Sequence, residues 1–508
     1  LRRVLSTPKL VVALFLGSLL LNTFRIDRAP DVHGDEIMYW QAGVNVATTG
    51  RLTWLNDVPI WVHPPLYFLV EGVVASIVPV ERDVFEGIAT LRLVGALFGA
   101  LTTVALFALV HSAFGRGAAA LAAVLFLSDP FVVRICRRVM LETQMVLLVV
   151  LGLWLAYRWR DRLRAGRLAL VSVPFGLALL TKEIAIVPLA ALPLFAAVRR
   201  RWSLLGRSVL VMALGLVIWS AYPAWAAATG SWEEFRAAKL LGAERLAGVV
   251  PTTGWRSPPI SLENAGKAAL HRDLQNLPRV SLADALRKNL GQYASSYLLI
   301  TLASLLGVML CRGSRDDGPW FLASWYGATA AFLAIGALLG TVHVQFAYLI
   351  LPAACAVCGA GLAPRRAGDW MRIGVTAAIV TFAVVRWVWL FGVGTDDSYR
   401  RLAQFLDDNV PAGSLVNSSQ PVGIEPASRW LFPHHRLVAI RKPAELERRG
   451  VRWAILSSKD VWGGYGRMNA EYVDWLREHG KVVFRAHGNT YWDLELLELP
   501  ATEVATKP

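Results

Sequence analysis

Apolar runs of roughly 15–27 residues recur from Leu10 to Val393, and most are long enough to cross a hydrocarbon layer about 30 Å thick. Short, Arg-rich polar stretches separate them. Beyond residue 393 the pattern changes to amphipathic and alternating segments with mixed charge. The pattern predicts a polytopic α-helical membrane region over 1–393 and a small α/β domain over 394–508. Eleven runs read as crossings: 8–24, 87–113, 117–134, 140–159, 168–181, 184–198, 207–228, 293–311, 319–340, 344–362 and 371–393.

Loop charge orients these runs. Arg158, Arg160, Arg162, Arg164 and Arg167 share one connection, and Arg199, Arg200, Arg201 and Arg207 lie in the next but one. Arg312 with Arg315, and Arg365, Arg366 with Arg372, keep the same alternation. The positive-inside bias puts these loops and the N-terminus in the cytoplasm. The first loop (25–86), a long loop (229–292) and the 394–508 domain then lie outside a multi-pass plasma-membrane protein. Segment 66–80 is apolar, yet a crossing there would turn every later Arg-rich loop outward. As a helix it reaches only about 22 Å, so it is expected to lie along or dip into the outer face. Segments 168–181 and 184–198 are equally short and are candidates for buried, cavity-lining helices.

Composition agrees with this class: 55% hydrophobic residues, 20 Trp and a mean hydropathy of +0.45 over 508 residues. The net charge of +15 does not indicate a nucleic-acid partner, because the Arg residues sit in short interhelical loops. Residues 1–24 have the charge pattern of a signal peptide, with Arg2, Arg3 and Lys9 before the apolar stretch. No small-residue cleavage site follows, so an uncleaved first helix is expected. Cys355 and Cys358 form a CxxC inside an apolar run and read as small helix-packing residues. In the long outer loop, 231–246 and 283–288 look helical and 250–259 turn-rich. In the last domain, strands are expected at 415–417, 437–440, 453–456 and 482–485, with 492–499 as an edge strand. Helices are expected at 397–408, 443–449 and 469–478. His434 and His435 are a loop pair, either plain surface residues or a substrate contact.

Candidate chemistry gathers near the outer face. Asp35 and Glu36, just after the first apolar run, are adjacent carboxylates at a membrane boundary, where desolvating them is costly. His63, Arg134, Arg137, Arg138, Glu142, Lys182, Glu183 and His343 fall at the same level. A carboxylate there can take a proton from a hydroxyl nucleophile, and Lys or His can stabilise a leaving phosphate. A lipid-held phosphate donor brings its reacting bond to this depth. Each residue also has a bland reading. Asp35 can cap a helix, Glu36 can stabilise a helix dipole, Lys182 can pair with Glu183, and Glu142 can pair with Arg138. Trp40, Trp54 and Trp61 can stack on sugars or belong to the interfacial aromatic belt. Three Arg at 134–138 on the outer side run against the charge rule and suggest phosphate binding.

His33-Gly34-Asp35-Glu36-Ile37-Met38-Tyr39 is similar to a first-loop D-E-x-x-[YF] motif, and His63-Pro64-Pro65-Leu66-Tyr67 to a K-P-P-L-Y-like motif. Arg137-Arg138-Val139-Met140-Leu141-Glu142 supplies a second acid opening a helix, Leu180-Thr181-Lys182 is T-K-G-like, and His343 through Pro352 resembles the start of a late helix. In order and spacing the chain resembles the GT-C membrane glycosyltransferases of the protein O-mannosyltransferase and aminoarabinose-transferase type, well over 8–200 and loosely beyond. The resemblance implies a sugar donor on polyprenyl phosphate, a lipid, glycan or protein acceptor, and contact with membrane lipids. It makes Asp35 the base, with Glu36 and Glu142 as further site carboxylates. Lys182, with His63, Arg137, Arg138 and His343, becomes the donor-phosphate set, and Tyr39, Tyr67 and Trp61 become substrate contacts. His63 stands where the family often has Lys. No cofactor is required, although His33, Asp35, Glu36, His63 and Glu142 leave a divalent metal open. Two other classes compete: a transporter or flippase of a lipid-linked sugar, and a membrane anchor for a C-terminal binding module.

Overall fold

The computed structural model describes residues 6–54, 58–78, 83–246, 282–339, 346–364, 369–418, 430–438, 440, 442–458 and 470–500. His343 and the turn-rich segment 250–259 lie outside the described residues.

The first part is helical. In chain order the helices are α1 (Thr7–Thr23), α2 (Gly34–Thr49), α3 (Leu66–Ile77), α4 (Val84–Phe114), α5 (Arg116–Ser128), α6 (Pro130–Cys136), α7 (Leu141–Trp159) and α8 (Ala165–Thr181). After a 3-10 turn at Glu183–Ala185 come α9 (Ile186–Leu189), α10 (Ala191–Val198), α11 (Trp202–Trp219), α12 (Ala221–Ala228) and α13 (Trp232–Leu246). Further helices span Leu282–Cys311, Asp317–Leu339, Ala347–Leu362 and Trp370–Trp387. A helix coincides with each of the eleven expected runs. Among the described residues, five helices are long and apolar enough to cross a membrane, or six if the bent α5–α6 pair counts as one. Together these apolar helices make a multi-pass membrane protein.

Several helices depart from simple spans for local reasons. The expected run 117–134 bends by 66° between α5 and α6. Asp129 caps the new helix there, accepting from Phe131 N and Val132 N, and Pro130 occupies its first position. Helix Leu282–Cys311 kinks at Tyr293. Helix α3 is only about 18 Å long, in keeping with the expectation that 66–80 does not cross. Helix α4 packs on α1, α5 and α7, and α8 packs on α7 and α11. Helix Ala347–Leu362 is buried from Tyr348 to its end and holds Cys355 and Cys358 as free thiols in the packed interior. At the periphery, Leu20, Val217, Val308 and Met371 are exposed, as a lipid-facing surface requires.

The C-terminal domain is a five-stranded mixed sheet with strand order β4-β3-β5-β7-β6; β1 (Thr53–Trp54) and β2 (Val58–Pro59) form a separate small hairpin in the first loop. The sheet strands are β3 (Leu415–Ser418), β4 (Arg436–Val438), β5 (Trp453–Ser457), β6 (Lys481–Gly488) and β7 (Trp492–Glu498). Strand β3 runs parallel to β4 and β5, while β7 is antiparallel to β5 and β6. The expected edge strand at 492–499 is therefore internal. Its Leu494, Leu496 and Leu497 are buried, whereas β4 and β6 are the edges, with Lys481, Arg485 and His487 along β6. Helices Ser398–Asn409, Pro443–Arg448 and Ala470–His479 lie close to the expected positions. Of the loop pair, His434 is exposed and His435 buried.

Candidate active site

The two neighbouring acids of the first loop have separate environments. His33 caps α2: its ring accepts from Asp35 N at 3.3 Å, while the Glu36 carboxylate reaches back to His33 N at 2.9 Å. Glu36 is fully buried. It also accepts Nε and Nη2 of Arg92 at 2.8 and 2.9 Å, and Val139 N at 3.0 Å. Burial alone would raise its pKa, but the charge and hydrogen bonds of Arg92 hold it below the usual value. Glu36 is thus a saturated anion that joins α2, α4 and the loop before α7. Asp35 lies about 100° further back around the helix. Its side chain is 35% exposed, with one oxygen 3.7 Å from His33 Nδ1. It is the acid of the pair that faces outward.

The second acid and the lysine meet. Glu142, in the first turn of α7, accepts from Lys182 Nζ at 2.6 Å through Oε1, and its Oε2 has no partner among the described residues. Lys182 reaches it because α8 ends there in extended backbone (φ −159°, ψ 126°). Neither local alternative forms: Glu183 pairs instead with Lys239 of α13, and Arg138 bonds Thr490. Lys239 also donates to the Val62 carbonyl at 3.2 Å, which ties α13 to the bend just before His63.

Tyr39, one turn after Asp35, links the clusters. Its ring meets those of His63, Tyr67 and Phe68 edge-on, with centroids 6.0, 6.3 and 5.4 Å apart. Burial first, and then the charges of Asp35, Glu142 and Glu71, push its pKa well up. The Tyr39 hydroxyl is a neutral group that feels the charges of carboxyls from α2, α3 and α7. The Tyr222 hydroxyl lies 3.0 and 2.9 Å from the carbonyls of Trp61 and His63, and so holds the backbone that presents His63.

Several residues expected at the site make other contacts in the structure. Trp61 is buried against Tyr222, Trp225 and Phe235 and does not present a face for stacking on sugar. Trp40 packs on Trp430 of the C-terminal domain, and the Trp54 side chain is outside the description. Arg137 is not aimed at a phosphate. Its donors go to the carbonyls of Leu21, Arg25 and Ala29, where they satisfy the exposed end of α1 and the following turn. Arg138 is buried and donates to Thr490, so it belongs to the contact between domains.

Sequence reasoning missed Arg92 and Glu71. Glu71 lies inside the apolar helix α3 and is fully buried. Among the described residues neither of its carboxyl oxygens has a partner of normal geometry, and the same holds for the Tyr67 hydroxyl one turn earlier. Burial pushes the Glu71 pKa well up; Tyr67 offsets part of the rise and Glu36 adds to it. Helix α2 presses on it: a Cβ at Gly43 would sit 2.9 Å from Glu71 Cβ. The available signal was a lone acid in an apolar run.

The five side chains considered for a divalent cation do not form a ligand set, since Glu36 is taken up by Arg92 and Glu142 by Lys182. Among the described residues no three His, Cys, Asp or Glu side chains converge as metal ligands.

Comparison with known proteins agrees with this architecture. The family model for dolichyl-phosphate-mannose-protein mannosyltransferases matches residues 62–225. The structure is similar over 96% of the chain to ArnT from Cupriavidus metallidurans bound to undecaprenyl phosphate, covering 97% of that chain at 15% identity and a TM-score of 0.57. It is also similar to an Archaeoglobus fulgidus oligosaccharyltransferase tethered to an acceptor peptide. There the match covers 96% of this chain and 73% of that one, at 12% identity and a TM-score of 0.56. No curated protein sequence matches the chain. These matches bear out the resemblance to GT-C membrane glycosyltransferases of the ArnT and protein O-mannosyltransferase type.

Proposed function

We propose that this protein transfers a sugar from a polyprenyl-phosphate carrier to an acceptor at the extracytoplasmic face of the plasma membrane, with Asp35 as general base. The observation that carries this reading is the pairing of Glu142 of α7 with Lys182 of α8 at 2.6 Å. Tyr39, one turn after Asp35 on α2, feels the charges of both Asp35 and Glu142. The ArnT structure, whose ligand is undecaprenyl phosphate, supports the choice of carrier.

The chemistry follows from these groups. Asp35 accepts the proton of the acceptor hydroxyl as its oxygen attacks the anomeric carbon. The bond from that carbon to the phosphate oxygen breaks, and the polyprenyl phosphate leaves with the electron pair. Attack opposite the leaving group inverts the anomeric centre. Lys182, exchanging part of its contact with Glu142 for the phosphate, stabilises the charge that develops there, with His63 beside it. Glu142 Oε2 is available to orient the acceptor. Glu36 does no proton transfer; it fixes the start of α2 and thereby Asp35. Arg137 and Trp61 have no part in the reaction.

Mass spectrometry of lipid-linked sugars and surface glycans, with and without the gene, tests this. Accumulation of one prenyl-phosphate sugar together with loss of one glycan is expected. Unchanged glycans, with carrier flux across liposomes and no glycosyl product, would favour a flippase.

A further inference from the structure

The C-terminal domain reaches the start of α2 through one short turn. Between β6 and β7, Tyr491 donates from its hydroxyl to the Val32 carbonyl at 2.8 Å, immediately before the His33 cap. Its ring meets Tyr399 edge-on at 4.7 Å, so the hydroxyl is held by packing as well as by its bond. Beside it, Thr490 Oγ1 accepts from Arg138 Nη2 at 3.3 Å and donates to Asp396 Oδ2 at 2.7 Å, while Thr490 N donates to Asp396 Oδ1 at 3.0 Å. The turn sits tightly on Asp396: a Cβ at Gly488 would come within 2.5 Å of Oδ1. Further bonds close the seam, from Asp396 N to the Arg28 carbonyl and from Tyr399 N to Asp31 Oδ2, at 3.0 and 3.1 Å. Thr490, Tyr491, Val32 and Arg138 are all buried.

Two anchored loops therefore meet at one carboxylate. Val32 leads into His33, whose N–H is held by Glu36; Arg138 leads into Val139, whose N–H is held by the same carboxylate. Both are gripped from the far side by neighbouring residues of one turn. We infer that the β6–β7 turn is part of the active-site scaffold, with Thr490 and Tyr491 as positioning residues that set the start of α2. That this placement serves catalysis rests on the proposed role of Asp35; the positioning itself does not.

The full-length protein in detergent micelles provides the test, through hydrogen exchange of the peptide covering 32–38. Thr490→Val removes only the hydroxyl, Thr490→Ser keeps it, and Tyr491→Phe removes the bond to Val32. One lost hydrogen bond corresponds to an increase in exchange of about three- to tenfold. Thr490→Val and Tyr491→Phe are expected to speed exchange in 32–38 by that factor and leave the α4 and α7 peptides unchanged, with Thr490→Ser like the parent. Either hydroxyl-deleting variant suffices if the other does not fold. Unchanged exchange in 32–38, or an equal increase throughout the bundle, overturns the inference. In cells making the variants, the product glycan is expected to fall in step with the exchange. A parent protein that makes no glycan while the exchange pattern holds contradicts the transferase reading alone.

Discussion

Glu36 and Arg92, 56 positions apart, form a two-pronged ion pair with almost no solvent contact. The pair divides the labour between the two adjacent acids of the first loop. One acid builds the corner where α2 meets α4, and the other is partly exposed. Breaking a buried pair by removing one partner costs about 3–5 kcal/mol, because a desolvated charge is left behind. Glu36→Gln is expected to lower stability by that order, as measured by unfolding in mixed micelles. Arg92→Met should do the same, and Glu36→Met with Arg92→Met together should recover most of the loss. A Glu36→Gln protein with parental stability and no transfer would show that Glu36 is a catalytic acid.

Lys182 and Glu142 make a different kind of pair, largely buried and, among the described residues, with one carboxylate oxygen unused. Charge-assisted hydrogen bonds contribute about 1.5–3 kcal/mol. Lys182→Gln is therefore expected to weaken undecaprenyl-phosphate binding tenfold or more, measured by titration in micelles. Glu142→Gln is expected to strengthen it, since the ammonium then has no competing anion. Equal affinities for the parent and both variants would remove Lys182 from the phosphate site.

The positions of the apolar helices were legible from run length, and so was the short helix after Pro65. The meeting of Glu142 with Lys182 was legible only as a shared depth, because pairing across helices depends on how α7 and α8 pack. Local spacing pointed to Glu183 for Lys182 and Arg138 for Glu142, and both went elsewhere. Arg137 looked like a phosphate ligand because three arginines stood on the outer side. Its neighbours are carbonyls at the end of α1, which no sequence pattern marks. Arg92 and Glu71 were overlooked because each is a single charge in an apolar run. The internal place of β7 is not legible in its sequence, because the pairing partner β6 precedes it and β5 comes from further back in the chain.

Glu71 gives a pH signature. The folded protein keeps this carboxyl protonated above 4.5, the ordinary value at which the unfolded chain loses the proton. The folded state then binds more protons, so the contribution of Glu71 to stability is present at low pH and declines as pH rises towards its elevated native pKa. Glu71→Gln keeps the shape and removes the titration. It is expected to raise the melting temperature relative to the parent near pH 8, with the gain shrinking as pH approaches 4. A gain independent of pH would mean that the carboxyl does not titrate abnormally.

The most direct measurement is single-turnover sugar transfer by purified, reconstituted Asp35→Asn, using the lipid-linked donor isolated from cells lacking the gene. General-base catalysis contributes about 10²–10⁴-fold. The expected result is a rate at least about a hundredfold lower than the parent, with undecaprenyl-phosphate affinity and melting temperature unchanged. Transfer by Asp35→Asn at the parental rate would contradict the assignment of Asp35 as the base.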